Sequence, residues 1–258
     1  MRCRLAAALA GLSIGMSVPL LGAAGPEKGP KQSFETSKTD RVDFQPGGTI
    51  RLDNSYGYLT VEGWDEPAVE ITVTKSTNRF YEPEPKEKAE RRFKEIGVVA
   101  ERRSDKEFAI STTTPVRHNF ISSILPQRRI IVTLPKHSQR GVTVEYTVHV
   151  PRDSRLVVRH DNGYVWVSDV TGDIEVRSHT GDMIVALPDP GPYSIDARTR
   201  LGSVSSDFTG QARNFSQFLV GTHFTYSSQA PSRRVYLRMG RGSITIKNGP
   251  PSGPFWKN

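Results

Sequence analysis

Apolar and polar residues alternate along most of this chain. Val42 and Phe44, Ile50 and Leu52, Leu59 and Val61, and the trio Val69, Ile71 and Val73 are each spaced two apart. Period two with β-branched side chains predicts half-buried strands. Pro46-Gly47-Gly48 predicts a turn between the first two runs. Further strands are predicted at 98–102, 108–112, 130–134 and 142–150, with Pro151 closing the last. One stretch breaks the pattern. Residues 83–96 (PEPKEKAERRFKEI) are dense in Glu, Lys, Ala and Arg, begin with prolines and precede Gly97. That punctuation predicts a helix, with Glu87–Arg91 and Glu90–Lys94 as pairs four apart. Its apolar residues, Ala89, Phe93 and Ile96, form a narrow stripe, so the helix is expected to lie on a sheet.

From Leu156 onward a short unit recurs: glycine, any residue, apolar, any residue, apolar. Gly163 leads to Val165 and Val167, Gly172 to Ile174 and Val176, Gly181 to Met183 and Val185, and Gly242 to Ile244 and Ile246. Gly202 leads to Val204 but then Ser206, and Gly57 with Leu59 and Val61 is an earlier copy. Gly221 breaks the rule, because His223 and Thr225 follow it. A unit of about ten residues is one short strand and one turn, so two units make a rung of roughly twenty. One rung cannot bury its inner face alone, whereas stacked rungs close a continuous apolar column. Glycine at each corner permits positive φ or close backbone approach. The reading is all-β: a β-solenoid-like stack of short strands with one surface helix inserted near 83–96. Val165, Val167, Ile174, Val176, Met183, Val185, Leu187, Val204, Ile244 and Ile246 should point inward, and Tyr164, Trp166, Asp173, Glu175, Arg177, Asp182, Ser203 and Ser205 outward.

The residues Val144-x-Tyr146-x-Val148-x-Val150-Pro151, Asn162-Gly163-x-Val165-x-Val167, Gly172-Asp173-Ile174-x-Val176 and Thr180-Gly181-x-Met183 carry a resemblance. They are similar to the putative adhesin family of exported bacterial domains, over roughly residues 45–75 and 142–247. The resemblance implies a stack of Gly-x-Val-x-Val rungs and export. It implies no chemistry and supplies no functional residues.

The N-terminus adds a compartment. Arg2 and Arg4 precede an apolar run from Leu5 to Leu21, and small residues Gly22-Ala23-Ala24 follow. This order predicts a signal peptide (1–24) cleaved near Ala24, hence a periplasmic, cell-surface or extracellular protein. Residues 25–40 read as a flexible lead, 41–150 as an N-terminal β region with the helix insert, 151–247 as the repeat region and 248–258 as a tail holding Phe255 and Trp256. Residues 113–127 read as a long loop holding Phe120, Ile121, Ile124 and Leu125. Cys3 is the lone cysteine of 258 residues and lies in the leader, which excludes disulfide staples and thiol catalysis.

Loss of Arg2 and Arg4 lowers the net charge from +8 to +6. The excess lies in residues 196–258, where nine Lys and Arg face Asp196 and Asp207. That quarter suits a polyanion such as an anionic membrane surface or acidic glycan; nucleic acid is a poor partner for an exported chain. The six histidines are scattered with no metal-ligand spacing, so no metal or other cofactor is expected. Candidate ligand-binding residues are the outward Tyr164 and Trp166, and Asp161, His179 and Arg200, each two residues before a rung glycine and so alignable as a column. Asp161, Asp169, Asp173 and Asp182 on successive turns are the acids a polysaccharide lyase-like enzyme would need, although a turn favours Asp for conformational reasons alone. The expectation is a non-catalytic, adhesin-like exported protein that binds an envelope protein or glycan. A carbohydrate-active enzyme on the same scaffold and an accessory or sensory envelope protein are the alternatives.

Overall fold

The computed structural model describes residues 34–77, 86–113, 142–188, 191–215, 220–249 and 253. The predicted leader, the strand at 130–134, the loop apolar residues Phe120 to Leu125 and the tail residues Phe255 and Trp256 lie outside the described residues. The described chain is all-β with one helix, arranged as an open, mixed sheet of 14 strands. No described helix is long and apolar enough to cross a membrane.

Three long strands set the geometry. β2 (Thr49–Trp64), β7 (Arg155–Ser168) and β8 (Ile174–Leu187) run parallel, with Gly57, Gly163 and Gly181 in register. These glycines have φ of 90°, 125° and 125°. Each strand thus has one arm before its glycine and one after. Beyond β8 the same pattern is split between pairs of strands. β13 (Arg233–Arg241) and β14 (Ile244–Asn248) flank Gly242, while β9 (Tyr193–Leu201) and β10 (Val204–Ser206) flank Gly202. Before β2, β5 (Glu107–Thr113) pairs with its first arm and β6 (Val142–Pro151) with its second, both parallel. First arms therefore run β5, β2, β7, β8, β13, β9, and second arms β6, β2, β7, β8, β14, β10.

The order differs from the order in sequence. β13 and β14, last in the chain, sit between β8 and the earlier β9 and β10. Gly221 breaks the motif because it opens β12 (Gly221–Ser227), which pairs antiparallel with β9 and is no corner. Antiparallel strands finish both ends: β11 (Gln211–Phe215) on β12, β4 (Gly97–Ser104) on β5, β3 (Ala68–Thr77) on β6 and β1 (Glu35–Asp43) on β3. β1 takes in the end of the segment expected to be a flexible lead. An edge strand exposed on both faces needs no apolar alternation, so ETSKTD reads as loop; Ser37–Thr74 and Thr39–Thr72 hydroxyl pairs hold it instead.

Alternation explains the core. Of the ten positions expected inside, nine are buried, and Val204 on the short terminal strand is half-buried. Each fully buried Val, Leu or Ile contributes about 1.5–3 kcal/mol of apolar transfer. α1 (Lys86–Glu95) buries Ala89 and Phe93, and Ile96 follows at 1% exposure. Lys75 of β3 donates to the Phe93 and Ile96 carbonyls at 2.9 and 2.6 Å, tying down the negative end of the helix dipole. The helix pairing differs from expectation: Arg91 donates to the Glu87 carbonyl, and Lys86 rather than Lys94 faces Glu90.

Candidate functional site

The expected binding residues do not form one site. Tyr164 stacks on Tyr58 in the neighbouring strand, with centroids 5.4 Å apart and planes 10° apart. Trp166 is 2% exposed, as is its row neighbour Thr60 at 3%. Trp166 is therefore a packing residue and offers no face to a ligand, although alternation places it opposite the core. The pairings on either side put Asp161 level with His179, yet the column stops there. β13 lies between β8 and β9, so Gly240 stands between His179 and Arg200.

Two of the acids considered for lyase-like chemistry, Asp173 and Asp182, join strands. Asp173 accepts from the Arg234 backbone N–H at 2.8 Å, and Asp182 accepts from the Ser243 N–H and hydroxyl at 2.9 and 2.6 Å. Both tie β8 to β13 and β14. Asp169, at φ 58°, lies 3.6 Å from Arg152. Among the described residues no group of three or more His, Cys, Asp or Glu could hold a metal ion.

What the sheet does bring together is a row of cations. Arg159 pairs in register with Arg177, Arg177 with Arg238, Arg238 with Arg198, Arg198 with His223 and His223 with Arg213. The row crosses β7, β8, β13, β9, β12 and β11. At about 4.8 Å per strand it is roughly 24 Å long. Residues one position earlier on four of these strands, Val158, Val176, Leu237 and Ala197, are buried, so the row lies on the outer face. Arg198 and Arg213 are exposed, and the Arg159 and Arg177 side chains are 65% and 54% exposed.

A signal for this row was present in the chain and went unread. Arg159, Arg177, Arg198 and Arg238 each stand four residues before a corner glycine, Gly163, Gly181, Gly202 and Gly242. The position four before each glycine is better matched than the position two before, which holds Asp161, His179 and Arg200. His223 and Arg213 lie outside the motif, on antiparallel strands, and only the register reveals them.

Carboxylates flank the row. Arg238 donates to both oxygens of Asp196 at 3.1 and 2.7 Å, and His223 Nε2 lies 2.7 Å from Asp196 Oδ1. Burial pushes the Asp196 pKa up, but the hydrogen bonds and charges of Arg238 and His223 outweigh that and hold it below the ordinary carboxylate value. Glu175 pairs with Arg177 at 2.9 Å, and Asp53 is 3.9 Å from Arg159. Tyr236 lies between Arg238 and Arg177, whose guanidinium carbons are 3.7 and 5.2 Å from its ring centroid. Two concavities lie elsewhere: a polar one of about 420 Å³ beside Tyr58, Thr147 and Glu145, and one of about 620 Å³ between β1, β3 and α1.

No family model and no curated relative matches the chain. Two solved structures are similar to it at low identity. A putative adhesin from Bacteroides fragilis is 9% identical, with a TM-score of 0.26, over 83% of this chain and 97% of its own. A putative cell adhesion protein from Clostridium sporogenes is 13% identical, with a TM-score of 0.46, over 83% of this chain and 100% of its own.

Proposed function

We propose that this is an exported, non-catalytic, adhesin-like protein: a β-solenoid-like stack whose broad outer face binds components of the cell envelope or cell surface. The observation that supports this reading most directly is the charged row running across six strands of one sheet face. The strand ladders fix the backbone spacing of those positions before binding, which suits contact over an extended surface. Export rests on the leader-like order of residues 1–24.

The test is co-sedimentation of the mature chain, from residue 25 on, with washed bacterial envelopes. The expected result is saturable binding that unlabelled protein competes away. Absence of saturable binding overturns the reading. Release of soluble sugar from the envelopes would replace it with the polysaccharide lyase-like alternative.

A further inference from the structure

We infer that the guanidinium row is a track for a linear acidic glycan, a chain bearing carboxylate or sulfate groups along its length. The inference rests on the contact reading of the outer face and names its partner class.

The argument begins with a cost. Like charges directly opposite one another destabilise a sheet, yet Arg159, Arg177, Arg238 and Arg198 are successive neighbours at one register. Asp53, Glu175 and Asp196 offset part of this repulsion. Among the described residues no ion pair reaches Arg213, which adjoins His223 at the row's far end. Repeated violation of a local rule at one place marks a site where function compensates the loss, and a bound anion supplies that compensation.

Geometry selects the partner. The cations at this register run strand after strand along one line. Glu175 and Asp196 stand in the row on one side, and Asp161, with His179 and Arg200, in the row on the other. A plane of lipid headgroups pressed on this face would meet those acids, whereas a chain laid along the line meets the guanidinium groups. Their planar forks suit carboxylate and sulfate. The sugar repeat of such a glycan is comparable to one strand spacing, so its acidic groups can meet successive or alternate arginines. Single-stranded nucleic acid would match the charge, but it also needs open aromatic faces for its bases. Tyr236, the ring in the flanking row, has guanidinium groups against it.

The experiment titrates the mature chain with polygalacturonate, heparin, neutral dextran, phosphatidylglycerol vesicles and single-stranded DNA. Two charge-matched double variants are compared: Arg198→Gln with Arg213→Gln in the row, and Arg155→Gln with Arg241→Gln on exposed positions outside it. Unfolding midpoints first establish that both fold. The expected result is binding of one or both acidic glycans, weakened at least about tenfold by the row variant and less than about twofold by the control. Equal loss in both variants, tighter binding to vesicles or DNA, or no glycan binding at all overturns the inference. Envelope sedimentation of the row variant separates the two readings: if it persists undiminished, the contact function stands and the track is wrong.

Discussion

Gly242 lies so close to Gly181 that a Cβ on it would sit 1.6 Å from the Gly181 carbonyl oxygen. The relation repeats along the corner column. A Cβ on Gly181 would be 1.7 Å from the Gly163 oxygen, one on Gly163 1.9 Å from that of Gly57, and one on Gly202 2.0 Å from that of Gly242. Each of these residues also has positive φ. Gly242→Ala should therefore cost at least about 3 kcal/mol, through strain and forced separation of neighbouring strands. Gly249→Ala also carries positive φ but meets nothing within 4 Å, so its cost should be about 1 kcal/mol. Urea unfolding of the two variants provides the comparison, and equal costs would show that conformation rather than close approach governs the corners.

Trp166 and Tyr164 should separate on substitution. Trp166→Ala removes a large side chain that is 2% exposed and should cost about 3–5 kcal/mol. Tyr164→Ala removes a half-buried ring stacked on Tyr58, for which about 1 kcal/mol is expected. Unfolding midpoints check both. Loss of binding in a Trp166 variant would then reflect packing rather than a lost contact.

Lys75 is expected to hold α1 in place. Its two bonds to helix-end carbonyls are partly buried, and burial lowers the Lys75 pKa. Lys75→Met should cost about 1–3 kcal/mol, with protection of α1 amides falling in hydrogen exchange. Lys86→Met breaks an exposed pair with Glu90 and should change stability by less than about 0.5 kcal/mol.

Asp196 gives the row an acid limit. Its folded pKa lies below its unfolded value, so its stabilisation is fully present above the unfolded value of about 3.9 and is lost as pH falls through the folded value. Because its side chain is 41% exposed, the effect should be small, under about 1 kcal/mol. Asp196→Asn should flatten the stability curve in that acid range and leave it parallel to wild type above pH about 5. An unchanged acid slope would show that Asp196 is not coupled to Arg238 in the folded state.

Much of the fold could be read from period and punctuation. Val165, Ile174, Val185 and Ile244 go inside because strand alternation has a fixed period and burial on one face enforces it. Ala89, Phe93 and Ile96 could be read as the helix's inner stripe for the same reason. Strand order could not be read this way, because local pattern does not say that β13 belongs between β8 and β9. That single displacement separates Arg200 from His179 and builds the arginine row. The burial of Trp166 is not legible either, because alternation reports which face a residue takes, not whether that face is covered.

The placement of β13 and β14 also governs how the molecule can be made. β8 and β9 are synthesised well before the strands that lie between them, so neither edge is satisfied until Arg233 to Asn248 has arrived. Such long-range closure makes for slow folding and leaves open strand edges on the way. Removing β13 and β14 should accordingly leave one chain whose sheet is split into two sections with open edges, not a shorter version of the same protein.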